Sequence, residues 1–143
     1  MWELYSYVFD LSASANGSDS DTKPITISKD FWLCEIAIKA EGDFKLTIHN
    51  TADRRDVLSG IKASSLIEDA TNIVGTWKLP ILLRGYTSKE EGTQIVGQEI
   101  FKGGSSIEVS VTDLSGSSNT IQVSLIGYHV EAGTPAMKYE GER

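Results

Sequence analysis

Nucleophilic or metal chemistry in this chain would have to draw on His49, His129, Cys34 and scattered serines and carboxylates, because two histidines and one cysteine are all that 143 residues contain. A serine or cysteine nucleophile needs a base oriented beside it. Both histidines lie in or beside alternating, strand-like runs, and no G-x-S-x-G elbow is present, so both read as surface or hydrogen-bonded structural residues. Cys34 alternates in phase with Trp32, Ile36 and Ile38, an apolar setting that raises a thiol's pKa and makes it a packing residue. One cysteine and two distant histidines do not make a zinc site. Asn16, Asp19 and Asp21 could present oxygens to calcium, but the run N-G-S-D-S-D lacks the spacing and the closing glutamate of a calcium loop and reads as a solvated loop. Glu90-Glu91, and Glu35 with Glu41, carry no signature of a hydrolytic carboxylate pair. Gly103-Gly104-Ser105-Ser106 leads into a strand, so no helix N-terminus follows to bind phosphate. The expectation is no catalytic residue, no metal site and no cofactor.

Aromatic side chains remain. Trp2, Tyr5, Tyr7, Trp77 and Tyr86 fall near the amino terminus or in loops, where rings serve as anchors for a protein partner or as stacking platforms for sugars. These five are the candidate interface, whereas Trp32 and Phe44 belong to the core.

The elements that must position these residues are strands. Ile107, Val109 and Val111 recur every second residue, as do Ile121, Val123 and Leu125, with Glu108, Ser110, Gln122 and Ser124 in the opposite phase. This is sheet with one packed and one wet face. Residues 2–11 read as an aromatic first strand with Tyr5, Tyr7 and Phe9 in one phase and Trp2, Leu4 and Val8 in the other. Residues 12–23, SASANGSDSDTK, read as a surface loop, and Ile25 and Ile27 as a short strand after Pro24. Residues 31–48 and 106–130 each read as a hairpin, and residues 50–76 as a long connection with at most a helical turn. Pro80 marks a sheet edge or the entry into a strand, residues 84–92 a protruding loop, and Ile95 and Val96 a short strand.

About seven or eight short strands separated by turn signals predict an all-β fold: a single antiparallel β-sandwich of jelly-roll type over residues 1–130. The tail, residues 131–143, is polar and aperiodic and is expected to be flexible. A length of 143 residues with 40% apolar side chains suits one core without disulfides. Thirteen basic against 20 acidic residues leave a net charge of −7, and Arg54-Arg55 stands between Asp53 and Asp56, so direct binding of nucleic acid or an anionic membrane is not expected. Residues 1–5 lack the look of a signal peptide, and no apolar run approaches the roughly 20 residues that span a bilayer.

The stretches FWLCEIAIKAEGDFKLTIHNTADRRDVLSG, LPILLRGY and KGGSSIEVSVTDLSGSSNTIQVSLIGYHV together resemble small β-sandwich virion proteins of tailed bacteriophages, over roughly residues 25–130. The resemblance is carried by Gly42 with Phe44, residues 53–56, Pro80, residues 104–107, residues 112–116 with Asn119, and residues 125–128. The insertion YTSKEEGTQIVGQ, residues 86–98, departs from that pattern. The resemblance implies a non-enzymatic minor capsid, cement or head-to-tail connector component, made in the host cytoplasm and residing in the virion. Its partners would be other copies of itself and other virion proteins. The alternative is a carbohydrate-binding or receptor-binding module that stacks a glycan on exposed aromatics such as Trp77 or Tyr86.

Overall fold

The computed structural model of the chain describes residues 3–65, 74–78, 86–87, 95–96 and 99–134, with backbone alone described in the three short stretches between 74 and 96. The strands are β1 (Glu3–Ala13), β2 (Ser18–Pro24), β3 (Lys29–Ala40), β4 (Phe44–Asn50), β5 (Arg55–Lys62), β6 (Val74–Lys78), β7 (Tyr86–Thr87), β8 (Ile95–Val96), β9 (Glu99–Phe101), β10 (Ser106–Asp113) and β11 (Asn119–Glu131). A single 3-10 turn, Ala63–Ser65, follows β5.

All pairings are antiparallel. One sheet runs β1-β11-β3-β6, the other β2-β10-β4-β5, and β7 and β8 form a separate two-stranded ribbon. β6 pairs with residues 35–39 of β3 and β9 with residues 31–33, so these two short strands share one edge position and each sheet has four positions. With β6 and β9 counted as one sixth strand, the order is 1-8-3-6 over 2-7-4-5, that of a jelly roll. The all-β sandwich expected from the alternation is therefore what the chain forms.

The core lies between the sheets. Phe9 and Leu11 of β1, Ile36 and Ile38 of β3 and Ile121, Val123 and Leu125 of β11 face Phe44, Leu46 and Ile48 of β4 and Ile107, Val109 and Val111 of β10. Burial of each such side chain contributes about 1.5–3 kcal/mol. Alternation set which face of each strand points inward.

It did not set the neighbour. Residues 31–48 and 106–130 are not hairpins: β3 and β4 lie in different sheets, as do β10 and β11, on opposite sides of the core. Residues 12–23 are not a loop but the end of β1, a corner at 14–17, and β2, whose residues pair with β10 from Ser18 opposite Thr112 to Pro24 opposite Ser106. An edge strand wet on its outer side needs few apolar residues, so its signal is weak. The short strand expected after Pro24 lies before it; Ile25 is buried, and Ile27 is exposed. The long connection expected over 50–76 contains β5, whose two register shifts against β4 break the alternation and leave Leu58 as its one fully buried residue.

A bulge also changes β3. Ile126 opposes Glu35 while Gly127 opposes Leu33, so Cys34 is an extra residue and the inward set becomes Phe31, Leu33, Ile36 and Ile38. Trp32, expected in phase with Ile36, moves to the other face, where it is still buried, and Cys34 is only half-buried. Gly127 is required here because a Cβ on it would lie 1.9 Å from the Trp32 carbonyl oxygen. Residues 131–134, assigned above to the tail, continue the fold through Ala132 N–H to Ser28 O and Gly133 N–H to Asp30 Oδ2. Residues 135–143 and Pro80 lie outside the described residues.

Candidate functional site

The polar chemistry buried in the sandwich connects its parts. At one end Asn119 accepts from the backbone N–H of Glu41 and Gly42 and donates to the carbonyls of Gly42 and Asp43 and to Asp113. Asp113 in turn accepts from the N–H of Asn16, Ser115 and Gly116 and from the Ser115 hydroxyl. Burial pushes the Asp113 carboxyl up, but these hydrogen bonds outweigh it and hold the group well below the usual carboxylate range. Three turns, at 14–17, 41–43 and 114–118, are thereby joined. At the other end Glu99, on the inward face of β9, is held by Asn50 Nδ2 at 3.1 Å and by the Arg55 guanidinium, so a strand of one sheet is clasped to two of the other.

The histidines are partnered as expected of structural residues. His49 Nδ1 lies 2.8 Å from Asp56 Oδ1, a bond that, with one from Ser59, holds the Asp56 carboxyl low. His129 Nε2 lies 2.8 Å from the Tyr7 hydroxyl. Among the described residues no serine, threonine or cysteine hydrogen-bonds either ring. Burial lowers the His129 pKa, with Lys29 adding to the fall and Glu3 opposing it, and burial beside Tyr5 pushes the Tyr7 hydroxyl up to about 12. Burial and Glu35 raise the Cys34 thiol. Asp19 and Asp21 are engaged with backbone N–H groups, and no group of three or more metal-ligating side chains occurs among the described residues.

Of the five candidate aromatics, Tyr7 is buried and is not a surface anchor: it shares the inward phase of Phe9 and Leu11 and packs edge-on against Phe31 at 4.8 Å. Tyr5 is half-exposed and stacks on His129 at 4.1 Å, covering that ring cluster. Trp77 stands on β6 opposite Ile36, and Tyr86 on β7 opposite Val96; their side chains, and all of Trp2, lie outside the described residues. Among the described side chains, Tyr5 and Tyr7 come together, their ring centroids 4.8 Å apart.

Around Tyr5 lies a surface built from aliphatic side chains as well as its own ring. β1 is an edge strand of 11 residues in unbroken register with β11, and its outer phase leaves Leu4 70% and Val8 37% exposed. Leu4, Tyr5, Ser6 and Ile126 line a shallow open depression there. Leu4 and Val8 fall four residues apart in the phase opposite to Phe9, a signal present in the sequence.

The backbone of this edge can be assigned. Ser12 N–H donates to Asp19 Oδ2 and Thr120 N–H, opposite it, to Glu41 Oε1, so the Ser12–Thr120 pair points its amides away from each other. By the alternation of an antiparallel ladder, Leu4, Ser6, Val8 and Asp10 likewise aim their N–H and C=O groups outward. No described residue accepts from those four N–H groups. β2, the edge of the other sheet, differs: Ile25 N–H points inward to Ser105 O, so positions 18, 20, 22 and 24 face outward. There Ser20 N–H is taken by Asp19 Oδ1, Thr22 N–H by Asp21 Oδ1, and Pro24 has no N–H.

No protein-family model and no curated protein matches this chain.

Proposed function

We propose that the protein is a non-enzymatic structural module acting through protein contacts, and in its finer form a bacteriophage virion component of minor capsid, cement or connector type. One observation carries the reading: the β1 edge of a jelly roll is left with outward backbone groups and exposed Leu4, Tyr5 and Val8, while the buried polar side chains are engaged in joining turns and sheets. Long open edges with apolar side chains are usually blocked in monomeric proteins because they pair with other chains. The virion assignment rests on the resemblance over residues 25–130 and on an architecture that viral shells and sugar-binding domains share.

The test is the molar mass of the purified chain by light scattering during size exclusion, repeated on a chain ending at residue 134. A closed oligomer is expected. A strict monomer at every concentration contradicts the homotypic contacts, and glycan-panel binding abolished by Trp77→Ala would replace the reading with a carbohydrate-binding one.

A further inference from the structure

We infer that the β1 edge receives the β1 edge of a second copy, the two strands pairing antiparallel about a two-fold axis at Ser6 so that two four-position sheets become one. This deepens the assembly reading above and rests on it.

In an antiparallel pair, residues whose amides face the seam must oppose residues whose amides also face it. The available positions are Leu4, Ser6, Val8 and Asp10, because Ser12 N–H is already bonded to Asp19. A two-fold axis at Ser6 sets Leu4 against the copy's Val8, Val8 against its Leu4, and Ser6 against Ser6. The two most exposed aliphatic side chains of the strand then cover each other on the same face, as cross-strand pairs do. An axis at Tyr7 would instead oppose Leu4 to a carboxylate, Asp10, and Ser6 to Val8. An axis at Val8 would use the occupied Ser12. Over residues 4–8, only the Ser6 axis matches apolar to apolar and polar to polar.

Charge agrees. With the axis at Ser6 the two Asp10 carboxylates stand eight residues apart along the seam, about 27 Å, well beyond the Debye length of about 8 Å at physiological salt. The other edges are less suited: β2 has its outward donors at Ser20 and Thr22 taken and a proline at 24, β5 is interrupted by two register shifts, and the fourth edge is divided between the short strands β6 and β9. A symmetric, self-complementary patch of this kind generates a closed dimer and not a fibre.

The experiment uses the full chain with Cys34→Ser and one new cysteine, under mild oxidation, with molar mass followed in parallel. Residues facing each other across hydrogen-bonded rungs have Cα atoms about 5.5 Å apart, within disulfide reach. Ser6→Cys should therefore give a cross-linked dimer as its main oxidised product. Val8→Cys, whose copies would stand about 14 Å apart along the seam, should not, and Ser20→Cys on the closed β2 edge reports collisional background. All three sites are at the surface, so folding is preserved. Equal yields at Ser6 and Ser20, or cross-linking at Val8 without Ser6, overturn the inference. If the chain is an oligomer by mass and Ser6→Cys stays reduced, this edge is wrong while the assembly reading stands; a monomer at every concentration removes both.

Discussion

β1 and β2 are joined by the corner at 14–17, each forms an edge of one sheet, and they treat their backbones in opposite ways. β2 carries no apolar side chain except Pro24, and the carboxylates of Asp19 and Asp21 take the Ser20 and Thr22 N–H groups that would greet another strand. β1 carries Leu4, Tyr5 and Val8, and among the described residues only Ser12, nearest the corner, finds an acceptor for its outward amide. Asp19 thus bonds to both strands, with one oxygen at the end of β1 and the other on β2. Edge pairing is controlled residue by residue, and this chain closes one edge with local side chains while leaving the other open.

The largest effect comes from detaching β1's support. Gly127→Ala drives a Cβ into the Trp32 carbonyl at the β3–β11 bulge and is expected to cost about 3 kcal/mol, read as a fall in urea midpoint. Because β11 carries β1, association should fall with it, while the β2–β10 ladder keeps its register. Asn119→Ala leaves two N–H groups, two carbonyls and Asp113 without their amide partner and should cost about 2–3 kcal/mol, loosening both edges together through the corner.

Acid should separate the two edges more gently. His129 has its pKa depressed in the folded state, so its contribution to stability is complete above the ordinary value of about 6.5 and is lost as pH falls below that toward the folded value. Because Tyr5 and Tyr7 pack on this ring, lowering the pH from 7.5 to 5.5 should reduce the urea midpoint and lower the amide protection factors at the start of β1 before those of β2 change. Tyr7→Phe, which removes the hydroxyl bonded to His129, should cost about 1 kcal/mol at neutral pH. Smallest in stability is Asp21→Ala, expected within about 0.5 kcal/mol. It frees the Thr22 N–H and should convert β2 into a second pairing edge, seen as larger species by light scattering at high concentration. An unchanged mass would show that the carboxylates are not what closes that edge.

Much of this frame was legible before the structure. The runs at 44–48, 107–111 and 121–125 alternate because each strand has one face in the core, and their inward residues are those the spacing marked. The same alternation says nothing of which strand lies beside which, so two cross-core pairs looked like hairpins. The extra residue Cys34 shifted the phase of Trp32 without a sequence signal, since a bulge is set by a neighbouring backbone and by the absence of a side chain at Gly127. For the site, ring size was the wrong guide at Tyr7, whose phase places it in the core. The informative pair, Leu4 and Val8, was visible as the opposite phase of the same strand, but its meaning depended on β1 being an edge, which only the strand order supplies.

The most direct measurement is residue-resolved amide hydrogen exchange of the full chain at a series of protein concentrations. The Leu4, Ser6 and Val8 amides should become protected as concentration rises, while Ser20 and Thr22 do not change. Rapid exchange at all three β1 positions under conditions where the chain is oligomeric, or protection that grows on β2 instead, would contradict the edge pairing.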